Sequence, residues 1–176
     1  IFGKKMKRSR ESSKKSLESK ESKMLTYKQQ LQAAMKADSE CSMFNLTVPD
    51  EANMTIVQVR MPSATFFEDH QSLFDDLSIM EQRTGKDYIE LLMYFPTAYP
   101  SVPPFVRVTQ PRFQFHTGHV TVGGSICTAL LTTSGWIQSL TIESLVLFIH
   151  RTIIEGKGRI DLHSHLVKVP YSDQEA

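Results

Sequence analysis

Two cysteines occur in the 176 residues, and the surroundings of one of them, Cys127, suit a nucleophile. It lies in the run Gly123-Gly124-Ser125-Ile126-Cys127-Thr128-Ala129-Leu130-Leu131, with His116 and His119 upstream and the sole tryptophan, Trp136, downstream. A thiol attacks as its thiolate, and a nearby imidazole can carry the proton that such chemistry moves. A glycine pair lets the backbone turn tightly and approach a bound group. The competing expectation for a lone cysteine is a small, inert core side chain, but the glycine loop and its landmarks favour the reactive one. Cys41, in a strand-like stretch, reads as core, and Trp136 as core or loop packing. Two cysteines so spaced form neither a disulfide framework nor a zinc site, which points to a reducing compartment. Gly123-Gly124 lacks the Lys-Ser/Thr and the helix start of a phosphate loop. His163-Ser-His165 has no third ligand at metal spacing. No cofactor and no metal are expected.

The elements that must hold this segment follow from periodicity. A helix starts near Met24, with Thr26 and Gln29 as a capping box and Tyr27, Leu31, Ala34 and Met35 as its apolar stripe, and ends before Asp38. Strands follow at Ser42–Thr47 and Met54–Met61, separated by Pro49-Asp50 turn chemistry. Thr65 and Glu68 fit a second capping box, and Leu73, Phe74, Leu77 and Met80 share a helical face that Gly85 ends. Tyr88–Phe95 and Phe105–Thr109 read as strands. Prolines 96, 100, 103 and 104 forbid a ladder between them and fix a loop. Thr141 caps a last helix, which buries Ile142, Leu145, Val146, Ile149 and Ile153 and stops at Gly156. Strands joined by short turns favour an antiparallel sheet with segregated helices, an α+β domain.

Composition sets the limits. Hydrophobic residues make up 40% and charged residues 22%, which suits one domain with a real core. The formal charge of +1 hides a division, because residues 1–23 carry nine Lys/Arg against three Glu and the rest carries 11 against 16. The tail, rich in Lys, Ser and Glu, cannot bury enough surface to offset the entropy of ordering and reads as a disordered tail or linker. Lys4-Lys5-Met6-Lys7-Arg8 could serve as a nuclear signal or a patch for an acidic partner. The acidic body argues against nucleic acid, and no apolar run reaches the ~18 residues of a membrane span. The chain begins at Ile1 and reads as a fragment of a longer product.

Phe95-Pro-Thr-Ala-Tyr99-Pro-Ser-Val-Pro103-Pro104 precedes Gly124-Ser125-Ile126-Cys127; Trp136 and then Leu140-Thr141-Ile142, opening a helix, follow. In this order and spacing the chain resembles the catalytic core of ubiquitin-conjugating enzymes over roughly residues 24–155. The insertion at 62–84 and the Gly-Gly-Ser-Ile-Cys pattern look most like the Q-type branch. The resemblance implies a UBC-like fold for residues 24–176: an antiparallel sheet of about four strands, with helices on one face and at the ends. It implies that Cys127 accepts ubiquitin as a thioester and passes it to an amine or a ligase, in an ATP-dependent pathway. The implied partners are ubiquitin, its activating enzyme and a ubiquitin ligase, in the cytoplasm and/or nucleus. A catalytically silent binding module on the same fold is the alternative, although silent members of the family usually lack the cysteine. A cysteine hydrolase would need a base oriented by a third group, and none is spaced for it.

The departures from the family matter. Its His-Pro-Asn is missing. Counted back from Cys127, His119 falls at the asparagine position; with one inserted residue, His116 aligns with the motif's histidine. His119 could donate a hydrogen bond to an oxyanion or help deprotonate a lysine, while His116 reads as a loop residue bonded to backbone. Ser125 and Asp161 are further supporting candidates, Asp161 as an acid that could guide the lysine. Ser101 stands where a Phe is common, Ile137-Gln138 replace Ser-Pro, and the family's final helical pair is not evident in 160–176.

Overall fold

The computed structural model of the protein describes residues 27–33, 35–36, 43–50, 53–163, 165–172 and 174–175. Four strands, β1 (Asn45–Thr47), β2 (Ile56–Pro62), β3 (Tyr88–Tyr94) and β4 (Phe105–Gln110), form one antiparallel sheet in sequential order. The expected strands are all present, with ends moved by at most three residues; Cys41 and Ser42 lie outside the described residues. Alternation decides which face is covered. Val57, Val59 and Met61 of β2, Leu91 and Met93 of β3, and Val106 and Val108 of β4 are buried. The helices α2 (Gln71–Thr84) and α3 (Ile142–Glu155), with α1, which includes 27–33 and 35–36, complete the α+β architecture.

Helix α3 forms as its sequence requires. The Thr141 side chain accepts the Ser144 amide, and Ile142, Leu145, Val146, Ile149 and Ile153 face the core. Truncating Leu145 or any of the three isoleucines to alanine costs about 2–5 kcal/mol. The end of α3 differs from the expected glycine stop. Gly156 is not left-handed; Lys157 is, with φ 50. The Lys157 amide donates to Ile154 O and the Gly158 amide to Ile153 O, the bond pair of a Schellman ending. Gly156 is required for a different reason, because a Cβ there would stand 2.6 Å from the His119 ring.

Helix α2 ends as expected, with Gly85 at φ 73 and its amide on Glu81 O. Its start corrects the second capping box. Thr65 is in a short 3-10 turn (Ser63–Phe66), where its hydroxyl bonds Pro62 O, and His70 caps α2 through Nδ1 on the Leu73 amide. Glu68 is exposed in the turn between them. Asp76 of α2, 3% exposed, accepts two bonds from the Arg159 guanidinium and one from the Ile160 amide, so the insertion is tied to the segment after α3. In α1, Tyr27 and Leu31 are buried as the stripe predicts, but Met35 is 38% exposed. Thr26 and the residues before it, including the basic tail, lie outside the described residues. Among the described residues no helix is long and apolar enough to cross a membrane.

Candidate functional site

Residues 119–127 form a small hairpin on the outer edge of β4. The Val108 amide donates to Gly124 O and the Ile126 amide to Val106 O, so the Gly-Gly-Ser-Ile segment extends the sheet. Within the hairpin, Val120 bridges Ile126, the Thr121 amide bonds Ser125 O, and the Gly124 amide bonds Thr121 O to close the turn. Gly124 has φ 88, and a Cβ on it would lie 2.6 Å from Val108 O. The glycine pair therefore makes the tight turn that was expected, but its close approach is inward, to β4 and Tyr171, and Gly123 and Gly124 are both buried.

The hairpin presents Cys127 as a free, exposed thiol. The Cys127 amide donates to His119 O at 2.8 Å, which fixes the two residues side by side. His119 has φ 55 and His116 φ 60; with Gly118 at φ 65, three of four consecutive residues are left-handed. The loop is held from below. The Gly118 amide bonds Gly156 O, the Gln114 amide bonds Arg159 O, and the Thr117 hydroxyl accepts the Arg159 amide. The His116 ring lies 3.7 Å from the Phe115 ring, centre to centre, and makes no hydrogen bond to backbone among the described residues, which corrects the bonding role expected for it.

Cys127, His119 and His116 line one open groove of about 390 Å³, with Phe115, Val120, Thr121, Val122 and Gly156. The other two candidates are elsewhere. Ser125 pairs with Arg107 of β4 and its carbonyl accepts the Thr121 amide across the hairpin. Asp161 lines a neighbouring hollow of about 190 Å³ with Arg112 and Tyr171, and its amide donates to Arg112 O. Sequence reading missed the apolar rim, Phe115 and Val122, each 69% exposed, because isolated apolar residues in a loop carry no pattern. Among the described residues no three His, Cys, Asp or Glu side chains lie close enough to hold a metal ion.

Downstream of Cys127 the chain folds back on itself. Ala129–Leu131 make a 3-10 turn, and Gly135 packs so closely on Ala129 O that a Cβ would stand 2.1 Å away. This brings Trp136 to the proline loop, where its indole N–H donates to Pro100 O at 2.7 Å. Tyr99, Phe95 and Tyr27 continue the ring contacts from Trp136 to α1. Burial pushes the Tyr99 phenol up to about 12, so it stays protonated and bonds Gln30. The packing role expected for Trp136 is thus what its contacts describe.

Comparison with known proteins points one way. The family model described as "Ubiquitin-conjugating enzyme" matches residues 85–172. Human Ubiquitin-conjugating enzyme E2 Q1 is 40% identical over 89 residues, 51% of this chain and 21% of that protein. A human Q-like relative of that enzyme is 36% identical over 95 residues, 54% of this chain and 58% of that protein. The chain thus spans about a fifth of the first relative and somewhat over half of the second. Among solved structures, human Ubiquitin-conjugating enzyme E2 G1 shares the fold, with a TM-score of 0.53 at 16% identity over 74% of this chain and 93% of that one. A Plasmodium vivax ubiquitin conjugating enzyme E2 aligns with a TM-score of 0.50 at 26% identity, over 70% of this chain and 97% of that one.

Proposed function

This chain belongs to the ubiquitin-conjugating enzyme family, in its Q branch, and from that premise we propose that Cys127 accepts ubiquitin as a thioester and passes it on. The observation that carries the reading is the exposed Cys127 thiol beside His119 in one groove. In the loading step the Cys127 thiolate attacks the carbonyl of the thioester between ubiquitin and its activating enzyme. A tetrahedral oxyanion forms, the C–S bond to the activating enzyme breaks, and that enzyme's thiolate leaves. Because the incoming acyl group is already activated, no strong base is needed. In the transfer step an amine attacks the Cys127 thioester, loses a proton to a base or to water, and expels the Cys127 thiolate. His119 donates a hydrogen bond to the oxyanion in place of the family's asparagine, a contribution worth about 3–4 kcal/mol in well-studied oxyanion holes.

The partners that follow are ubiquitin, an activating enzyme that spends ATP, and a ligase, with the cytoplasm and/or nucleus as the place of action. An exposed cysteine disfavours the silent binding module. The test is incubation of the chain with activating enzyme, ATP and ubiquitin, followed by non-reducing electrophoresis. A thiol-sensitive adduct is expected. Cys127→Ser should turn it into a thiol-resistant ester or abolish it, Cys127→Ala should abolish it, and Cys41→Ala should leave it intact. Normal charging of Cys127→Ala would overturn the assignment.

A further inference from the structure

We infer that Tyr171 is a positioning residue for the Cys127 site: its ring seats the turn that delivers the thiol, and its phenol oxygen holds the start of the loop that delivers His119. The inference rests on Cys127 being the thioester acceptor. Tyr171 is 7% exposed and belongs to the segment after α3 that returns beneath the hairpin. A Cβ built on Gly124 would meet the Tyr171 ring at 3.0 Å, so ring and turn are in direct contact. The phenol oxygen accepts the Phe113 amide at 2.9 Å, at the point where the chain enters the loop of His116 and His119.

Tyr171 is itself held from several sides. Its amide donates to Thr109 O at 2.8 Å, just before β4 ends. The Arg112 guanidinium lies 4.6 Å over its ring and forms a two-pronged pair with Glu175, whose carboxylate also accepts the Ser172 amide. Arg107, buried in β4, donates to Ser172 O at 2.7 Å. A side chain fixed in this way transmits its position to both arms of the site, the arm with the thiol and the arm with the imidazole. The two contacts are also chemically separable. Tyr171→Phe removes the acceptor for Phe113 and keeps the ring under Gly124, whereas Tyr171→Leu removes both.

The experiment compares wild type and the two variants as full chains in four readings: single-turnover loading with ubiquitin, discharge to free lysine, alkylation of the thiol by iodoacetamide, and hydrogen exchange at the Phe113 amide. Tyr171→Phe should load and alkylate within about twofold of wild type, discharge at least ~10-fold more slowly, and exchange the Phe113 amide at least ~10-fold faster, as expected when a reacting group shifts by a fraction of an ångström and a buried donor loses its acceptor. Tyr171→Leu should in addition change the loading and alkylation rates. A purely structural tyrosine would lower the melting temperature and leave the ratio of discharge to loading unchanged. Wild-type discharge by Tyr171→Phe, with its Phe113 amide exposed to exchange, therefore overturns the proposal. If Tyr171→Leu does not fold, the Phe variant alone decides. If wild type does not load, the reading of Cys127 fails separately; altered alkylation in Tyr171→Leu then supports the positioning role, and unaltered alkylation refutes it.

Discussion

His119 is where the sequence and the groove meet most closely. Counting back from Cys127 without a gap places it at the family's asparagine position, and its carbonyl is bonded to the Cys127 amide. Thiols attack thioesters more readily than amines do near neutral pH, so oxyanion support matters more for transfer than for loading. His119→Ala should keep most loading and slow lysine discharge by ~10-fold or more. His119→Asn should retain more discharge than the alanine variant, and His116→Ala should act mainly through stability. Single-turnover discharge decides it, and equal rates for wild type and His119→Ala would remove His119 from the mechanism. Cys127 and both histidines were legible because they lie close in sequence on one hairpin and its loop. Ser125 and Asp161 were near enough in chain order to be named, but chain order does not say that Ser125 is tied to β4 or that Asp161 opens on the next hollow. Tyr171 was invisible, since nothing in a sequence announces which distant ring will rest on a glycine.

The strands and helices were legible wherever periodicity dictates them, and least so where side chains compete for backbone groups. Thr65 and Glu68 have the spacing of a capping box, yet the Thr65 hydroxyl bonds Pro62 O and the cap passes to His70. On α3, His150 sits among core residues at 2% exposure, with its ring 4.5 Å from Phe66 and Nε2 on Thr65 O. Burial lowers its pKa below the ordinary histidine value of 6.5, more than the Thr65 bond and Asp69 raise it. The unfolded chain therefore binds a proton near pH 6.5 that the folded chain resists. The corresponding stability is complete above that pH and is lost as pH falls from there toward the lowered folded pKa, by up to about 1.4 kcal/mol per pH unit. Melting temperatures of wild type and His150→Leu at pH 7.5 and 5.5 test this. The fall on acidification should be smaller in the variant, whatever its baseline, and equal falls would contradict it.

For the whole molecule, the sheet order and the α+β arrangement were recoverable from the order of elements and from the family resemblance. The tie between α2 and the segment after α3 was not, because it is made by one buried carboxylate, Asp76, meeting Arg159 and Ile160 across the fold. Among the described residues the core begins at Tyr27, and its contacts with Phe95 and Tyr99 link α1 to Trp136 beyond the Cys127 hairpin. The basic charge of residues 1–23 lies before that point. Their removal should leave both the melting temperature and thioester loading unchanged within experimental error. A clear loss of melting temperature would move the domain boundary upstream of Met24.

The left-handed backbone at His116, Gly118 and His119 narrows the alphabet from which this loop can be written. A residue with a β-carbon gives up about 1–2 kcal/mol there, less for Asn, Asp and His, and a β-branched side chain is close to excluded. At position 119 the residues that tolerate the backbone and those that can donate a side-chain hydrogen bond to an oxyanion overlap in a short set, chiefly Asn and His. Variation at this site among related chains is therefore filtered twice, once by conformation and once by chemistry. A relative carrying glycine there would keep the shape of the loop and forfeit the proposed donor.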